Sequence, residues 1–148
     1  IAVVGMDPRK LSQFTFVHET HYVNSIPSGF RVDHAFECCG GEGSGNAIDD
    51  IIRYIRPQGT VMLMGVSENK VAVNTRNVLE KGLTMIGCSR SGRADFERAV
   101  GLMLDATFHN RLSAIIYEDL PVSGIADIGR VMATDLTTPF KTVFRWNV

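Results

Sequence analysis

The sequence has too few cysteines, in the wrong arrangement, for a disulfide framework. It contains 3 cysteines in 148 residues, and two of them, Cys38 and Cys39, are adjacent. All three cysteines lie in apolar contexts typical of strands. An odd number with two neighbours is a poor basis for disulfide pairing, so we expect reduced cysteines and a cytoplasmic protein.

The sequence also lacks a charge excess and a long apolar run. Its 15 lysines and arginines balance 16 aspartates and glutamates. This balance gives no electrostatic case for binding nucleic acid or an anionic membrane. No apolar run approaches the ~20 residues of a membrane span, and no signal-peptide pattern is present. With 45% hydrophobic and 21% charged residues, the composition is that of an ordinary soluble protein.

What the sequence does contain is a regular alternation of strand and helix signals. The continuous apolar run TVMLMGV is typical of a parallel strand that is buried on both faces. Strands are predicted at residues 1–4, 21–26, 32–39, 60–66, 70–75, 83–88, 112–118 and 141–146. Helices are predicted at residues 8–17, 47–55, 76–82, 93–104 and 125–132. This order predicts an α/β fold with a largely parallel sheet.

The opening stretch, IAVVGMDPRKL, is typical of half a dinucleotide-binding unit. A strand ends there in a turn that carries an acid and bases, and a helix follows. The other half, a Gly-rich loop and its helix, normally lies about 25 residues earlier. We therefore expect a piece of a longer protein. Its fold would be a partial Rossmann-type doubly wound sheet without its first strand and Gly-rich loop, and then a C-terminal strand–helix–strand segment. The expected domains are residues 1–90, a partial nucleotide-binding domain, and residues 91–148, a C-terminal segment.

Three segments, VDHAFECCGG, LMGV and NVLEKGLTMIGCSRSG, occur in an order and spacing that resemble a known family. They resemble the coenzyme-binding half of zinc-type medium-chain alcohol and polyol dehydrogenases. Within that family, MGVSENKVAVNTRNVLEKGL and GCSRSGRADFERAV are most similar to the ribulose-5-phosphate reductase (ribitol-5-phosphate dehydrogenase) branch. The resemblance implies hydride transfer between NADP(H), with NAD(H) as the alternative, and a sugar or polyol phosphate, so that ribulose 5-phosphate becomes ribitol 5-phosphate. It implies that residues 91–148 complete the catalytic domain of the longer enzyme. It also implies a zinc ion held by residues outside this chain, so no catalytic residue and no metal ligand is assigned within it.

The residue that ends the first predicted strand bears on the choice between NADP and NAD. An Asp or Glu at this place binds the ribose 2′-hydroxyl of NAD, whereas a neutral residue with nearby cations admits the 2′-phosphate of NADP. Here the position is Gly5, followed by Arg9 and Lys10. This favours NADP. Asp7 is the alternative, because its carboxylate could reach the ribose if the alignment slips by two residues.

The resemblance implies that the coenzyme lies along the ends of three further strands. After the strand at 32–39, Cys38 and Cys39 would line the crevice, and Gly40 would let the backbone approach a ribose. The ends of the next two strands would flank the nicotinamide and its carboxamide with backbone groups. Lys141 would face the pyrophosphate. The residues at those two strand ends are Met64, Gly65, Val66, Cys88, Ser89 and Arg90.

Three alternatives remain beside this interpretation. The chain could belong to another zinc-type alcohol or polyol dehydrogenase, or be a nucleotide-binding module that does no chemistry. The loop GGEGSGN lacks the spacing G-x-G-x-x-G but could suggest a G-x-G-x-G loop that binds S-adenosylmethionine.

For oligomerisation, the resemblance implies a homodimer formed through the edge segment KVAVNT, from Lys70 to Thr75.

Overall fold

The computed structural model describes residues 1–147 as seven strands and six helices. Two short 3₁₀ turns lie at Val23–Ser25 and Gly41–Gly43. The strands are β1 (Ala2–Gly5), β2 (Glu19–Tyr22), β3 (Val32–Glu37), β4 (Ile55–Leu63), β5 (Thr84–Gly87), β6 (Ile116–Glu118) and β7 (Lys141–Val143). The helices are α1 (Pro8–Leu11), α2 (Ser44–Tyr54), α3 (Thr75–Lys81), α4 (Arg93–Met103), α5 (Ala106–Ser113) and α6 (Ile125–Thr137).

The chain divides into two compact units. One combines Ile1–Ile26 with Gly92–Val148, and the other is Pro27–Ser91. Within the described residues the strands form three separate parallel sheets, ordered β1-β2, β3-β4-β5 and β6-β7. The predicted α/β fold with parallel strands is confirmed. The functional domains expected at residues 1–90 and 91–148 stay a prediction.

The unit Pro27–Ser91 is a three-stranded parallel sheet with two crossover helices. Its strands are in register at Ala35, Val61 and Met85. The apolar face of α2 places Ile52, 1% exposed, against this sheet, whose central residue Val61 has no exposed surface. Burying side chains of this size contributes roughly 1.5–3 kcal/mol each. Because all three strands are parallel, their carboxyl ends lie at one edge of the sheet.

Lys81, the last residue of α3, ties that helix to the end of α2. Its ammonium nitrogen Nζ donates to the carbonyl oxygens of Ile52 (2.5 Å), Arg53 (3.0 Å) and Ile55 (3.0 Å). The carbonyls of Ile52 and Arg53 lie in the last turn of α2, where carbonyls have no partner within the helix, and a cation at a helix C-terminus is favourable. Burial, and secondly the charge of Arg31, lowers the pKa of Lys81.

The other unit contains the two remaining sheets and three of the longer helices. Leu11, at the end of α1, is buried and packs on Gly5, where an added Cβ would lie 3.3 Å from a Leu11 methyl carbon. Val131 of α6 and Val122 are the other buried apolar residues of this unit. Val122 pairs with Trp146 in an isolated parallel bridge. No helix of residues 1–147 is long and apolar enough to cross a membrane.

Several predicted elements are wrong in their bounds or type. The helix predicted at 8–17 ends at Leu11, and the strand predicted at 21–26 begins at Glu19 and ends at Tyr22. The strand predicted at 112–118 keeps only Ile116–Glu118, because α5 occupies the preceding residues. Helix α6 continues five residues beyond the predicted end at residue 132. The final strand ends at Val143 rather than at residue 146.

The strand predicted at residues 70–75 is absent. Residues 70–74 lie in no strand, and α3 begins at Thr75 with Asn74 as its N-cap. The segment alternates as a strand would, with Val71 and Val73 half-buried and their neighbours exposed. Its backbone pairs with no strand of residues 1–147, and without a partner an extended segment is not a strand.

Candidate functional site

The carboxyl ends of β3 and β4 are joined directly by backbone hydrogen bonds. The Glu37 carbonyl accepts from the amides of Met64 (2.9 Å) and Gly65 (3.0 Å). Farther along, the Gly41 amide donates to the Val66 carbonyl at 2.8 Å. Two predicted groups of site residues are therefore neighbours. They are Cys38, Cys39 and Gly40 after β3, and Met64, Gly65 and Val66 after β4.

The Glu37 carboxylate is buried between these two strand ends. The residue is 2% exposed. Its Oε1 accepts from the amides of Cys39 (2.8 Å) and Gly40 (3.1 Å) and from the Ser44 hydroxyl (3.1 Å). Its Oε2 accepts from the Gly65 amide at 3.1 Å. Four donors from three segments thus satisfy one carboxylate, the condition under which a buried charge is tolerated.

Glu37 is the residue of this site that the sequence analysis missed. The strand predicted at residues 32–39 contains it, and no role is predicted for its side chain. The available signal was an acidic residue that ends an apolar strand and is followed by small residues and glycine amides. A single carboxylate in such a place can accept from the turn that follows it.

Two glycines at the site are required by its geometry. Gly40 has φ = 66°, and a Cβ added there would lie 2.9 Å from the Val66 carbonyl oxygen. At Gly65 an added Cβ would lie 2.4 Å from the Gly40 nitrogen and 2.6 Å from each Glu37 carboxylate oxygen. Real Cβ atoms essentially never approach so closely. Glycine at both positions lets the two strand ends come together.

Cys38 and Cys39 border the same site as neutral thiols. Both residues are exposed. Partial burial of each thiol, and secondly the nearby Glu37 charge, raises the pKa of Cys38 and of Cys39. The thiolate is the nucleophilic form of cysteine. These cysteines are therefore suited to lining a site and unsuited to attack on a substrate.

The third strand end lies beside the second. The Cys88 amide donates to the Leu63 carbonyl at 2.9 Å, which continues the pairing of β4 with β5. Cys88, Ser89 and Arg90 are exposed. Arg90 has φ = 65°, a left-handed conformation uncommon for residues other than glycine. Nine predicted site residues thus lie along three adjacent strand ends of one unit.

The remaining predicted residues belong to the other compact unit. Gly5 ends β1 as predicted. The Asp7 carboxylate caps α1 by accepting from the Arg9 amide (2.9 Å), and it also pairs with the Arg9 guanidinium (3.2 Å). The hydrogen bond from the Arg9 side chain is the largest cause that lowers the pKa of Asp7. Lys10 is exposed.

Lys141 begins β7. Its ammonium nitrogen lies 3.8 Å from Asp135 Oδ2, and its side chain is largely exposed. The assignments of Gly5, Arg9, Lys10 and Lys141 to the coenzyme stay predictions.

The loop GGEGSGN is built around internal contacts. The amides of Cys39 and Gly40 bind the Glu37 carboxylate, and the Gly41 amide binds a carbonyl. A phosphate-binding loop directs its amides at the ligand. The buried Glu37 charge would also repel an anion. This geometry argues against a phosphate-binding role for the loop.

The residues described here offer no place for zinc. Within residues 1–147, no group of three or more His, Cys, Asp or Glu side chains could hold a metal ion. Structural zinc is bound by four protein ligands and catalytic zinc by three. Residues 1–147 therefore do not fit a zinc site.

Comparison with known proteins identifies a family and several relatives to which the chain is similar. The model of the family described as zinc-binding dehydrogenase matches residues 2–105. The chain is 57% identical to the ribulose-5-phosphate reductase of Streptococcus pneumoniae (strain ATCC BAA-255 / R6), over 100% of this chain and 43% of the relative. It is 45% identical to ribulose-5-phosphate reductase 1 of Staphylococcus aureus (strain NCTC 8325 / PS 47), over 99% of this chain and 43% of the relative. The chain thus spans less than half the length of these curated relatives.

Solved structures agree with the sequence relatives. The structure of S. aureus TarJ in complex with NADPH superposes with a TM-score of 0.95 at 44% identity, covering 100% of this chain and 47% of that one. The L-idonate 5-dehydrogenase of Escherichia coli str. K-12 substr. MG1655 has a TM-score of 0.79 at 15% identity, covering 99% of this chain and 42% of that one. The second likeness shows the shared fold. The chain belongs to the zinc-binding dehydrogenase family.

Proposed function

We propose that this chain supplies the coenzyme-binding part of an oxidoreductase that reduces ribulose 5-phosphate to ribitol 5-phosphate with NADPH. The observation that carries the proposal is the set of three adjacent parallel strand ends, after Glu37, Leu63 and Gly87, with glycine where the first two meet. In open α/β sheets, ligands bind at the carboxyl ends of the strands. The substrate is proposed from the similarity to proteins named ribulose-5-phosphate reductase.

The strand ends fit the nicotinamide half of a dinucleotide. Gly40 and Gly65 keep side chains out of the place where the first two ends meet. Val66 and Arg90 would border the nicotinamide, and the neutral thiols of Cys38 and Cys39 would line the crevice. When bound, the coenzyme supplies the hydride. The residues of this chain orient it and exclude water, which are the tasks a protein performs for such a cofactor.

NADP(H) is the proposed coenzyme, with NAD(H) as the alternative. Gly5 puts no carboxylate at the end of β1, and the nearby Asp7 carboxylate is already used by the α1 cap and by Arg9. It is therefore poorly available to a ribose hydroxyl. Lys10 is exposed and can pair with a 2′-phosphate. The NADPH bound to the S. aureus relative supports the same choice.

We further propose a cytoplasmic homodimer joined through residues 70–75. Cytoplasmic location is supported by three free cysteines. The dimer is supported by an extended segment whose alternating burial suits a strand and which has no partner strand within residues 1–147. The same segment of a second copy would supply the missing hydrogen bonds.

The direct test is an activity assay on the natural gene product that contains residues 1–147. We expect it to oxidise NADPH in the presence of ribulose 5-phosphate, with ribitol 5-phosphate as the product. Ribulose without the phosphate is the matched control substrate and is expected to react poorly. A preference for unphosphorylated polyols would replace this function with that of another alcohol or polyol dehydrogenase. The absence of any NAD(P)H-dependent reduction would refute the proposal.

A further inference from the structure

One side chain, that of Glu37, links the two strand ends of the proposed coenzyme site in addition to their backbone hydrogen bonds. Glu37 Oε1 accepts from the Cys39 and Gly40 amides, on the loop that follows β3. Its Oε2 accepts from the Gly65 amide, on the segment that follows β4, 28 residues away in sequence. The carboxylate therefore links the loop after its own strand to the end of the neighbouring strand.

The contacts of the Glu37 side chain suit a carboxylate. All four groups that face it are donors: three amides and the Ser44 hydroxyl. A carboxylate only accepts, so it satisfies every one of them. The amide of a glutamine would turn an N–H₂ group toward one or more of these donors. A buried donor facing a donor loses its hydrogen bond and keeps its desolvation cost.

The glycines show how tightly the two ends depend on this side chain. Gly65 approaches both carboxylate oxygens so closely that a methyl group there would lie 2.6 Å from each. The same methyl group would lie 2.4 Å from the Gly40 nitrogen. A movement of the Glu37 carboxylate is therefore passed to Gly40 and Gly65 together, at the place where the coenzyme is proposed to lie.

We propose that Glu37 is a positioning residue that sets the backbone of Cys39–Gly40 and of Gly65 for binding the nicotinamide. This inference rests on the proposed function. Glu37 acts through backbone groups and does not itself touch the substrate. Displacing a bound reactant by about 1 Å can lower a rate by about 100-fold. Loss of this carboxylate therefore affects catalysis and coenzyme binding in addition to stability.

The test compares Glu37→Gln with Asp33→Asn in the natural gene product that contains this chain. Asp33 lies on the same strand, is exposed and pairs with Arg56 at 2.8 Å. It is a matched acid-to-amide control away from the strand end. For each variant we would measure the thermal midpoint, the Kd for NADPH from its fluorescence, and kcat and KM well below the midpoint.

We expect Glu37→Gln to lower kcat by about 10- to 100-fold and to raise the Kd for NADPH by about 10-fold. The KM for ribulose 5-phosphate should change by less than about 3-fold, since the substrate contacts are not altered. Asp33→Asn should match the wild type in all four measured quantities. Glu37→Asp keeps the charge but has a shorter reach, so it should fall between the two.

A second readout follows the charge itself. Glu37 contributes to the raised pKa of both adjacent cysteines. Its removal in Glu37→Gln should lower the pH midpoint of their alkylation by iodoacetamide, whereas Asp33→Asn should leave the midpoint unchanged. This pH profile reports the charge beside the cysteines, whereas the Kd for NADPH and the kcat of the folded variant distinguish a positioning role from a stabilising role alone.

The outcomes separate this inference from the proposed function. A folded Glu37→Gln protein with the kcat and NADPH Kd of Asp33→Asn, but a lower thermal midpoint, would overturn the positioning role. If Glu37→Gln does not fold, Ser44→Ala decides. It removes one donor from Oε1 and should raise the NADPH Kd by about 3-fold, and an unchanged Kd would overturn the inference. A wild type that binds NADPH but does not reduce ribulose 5-phosphate would refute only the substrate, because the NADPH comparison still tests Glu37.

Discussion

Replacing Gly65 by alanine tests whether the two strand ends are held as closely as the structure indicates. The added Cβ would lie 2.4 Å from the Gly40 nitrogen and 2.6 Å from each Glu37 oxygen, whereas ordinary contact begins at 3.4 Å. The chain would have to open by about 0.8–1.0 Å at three polar atoms. The hydrogen bonds of the Gly65 amide, now 3.0 and 3.1 Å long, would be stretched beyond bonding distance.

The expected cost follows from these distances. Losing the hydrogen bond to the Glu37 carboxylate costs about 1.5–3 kcal/mol, losing the one to the Glu37 carbonyl costs about 0.5–1.5 kcal/mol, and overpacking costs about 1–3 kcal/mol. Gly65→Ala should therefore lower the free energy of unfolding by roughly 3–7.5 kcal/mol. That is a large part of the roughly 5–15 kcal/mol of an ordinary protein. Equilibrium urea unfolding of the natural gene product would measure the change.

Gly45→Ala is the matched control for this substitution. Gly45 lies in α2, where an added Cβ would meet only a Val71 methyl group, at 3.7 Å. The substitution should be neutral or stabilise by up to ~1 kcal/mol, because alanine favours helix. If Gly65→Ala unfolded within ~1 kcal/mol of Gly45→Ala, the close approach of the strand ends would be refuted.

Three further predictions address other parts of the molecule. Arg90→Gly should leave the free energy of unfolding unchanged or raise it by up to ~1 kcal/mol, because it relieves a positive φ. Arg90→Gly should weaken NADPH binding about 3- to 10-fold, because it loosens the strand end and removes a charge. The control is Gln58→Gly, at another positive φ, which should leave NADPH binding unchanged. Equal Kd values for the two variants would count against Arg90 as a site residue. Lys81→Met removes the three hydrogen bonds at the end of α2, so it should lower the free energy of unfolding, measured by urea unfolding, by about 1–3 kcal/mol. A smaller loss would show that water replaces the ammonium group. The pKa of Asp7 in the folded protein is lowered from 3.8, so its contribution to stability is present above pH 3.8 and is lost as the pH falls through the lower folded value. The urea midpoint of the wild type should therefore fall more steeply on acidification below pH 3.8 than the urea midpoint of Asp7→Asn. Equal slopes would contradict the role of Arg9.

The sheet that positions the site could be predicted from sequence because its strands are marked by composition. The run around Val61 is apolar without interruption, as a strand covered on both faces must be. Helix α5 was missed because most of its residues are exposed and only Phe108 and Leu112 are half-buried. The signal that could have found it is Asp105, whose carboxylate caps the helix by accepting from the Phe108 amide at 2.8 Å.

The site was predictable in its location and not in its internal bonding. The positions of Gly40 and Gly65 follow from the ends of apolar strands, which sequence patterns mark. The role of Glu37 depends on a donor 28 residues away, and no local pattern predicts that contact. The missing strand at 70–75 has the same cause, since the alternating pattern is present but strand formation also requires a partner strand, which no local pattern specifies.

The measurement that tests the central claim most directly is a calorimetric titration of NADPH, and then of NADH, into the natural gene product that contains this chain. We predict that NADPH binds at least about 10-fold more tightly, as a phosphate paired with a cation contributes on this scale. Lys10→Ala should reduce that difference. NADH binding as tightly as NADPH would contradict the coenzyme assignment. Failure of both to bind would contradict the proposal that these strand ends form a coenzyme site.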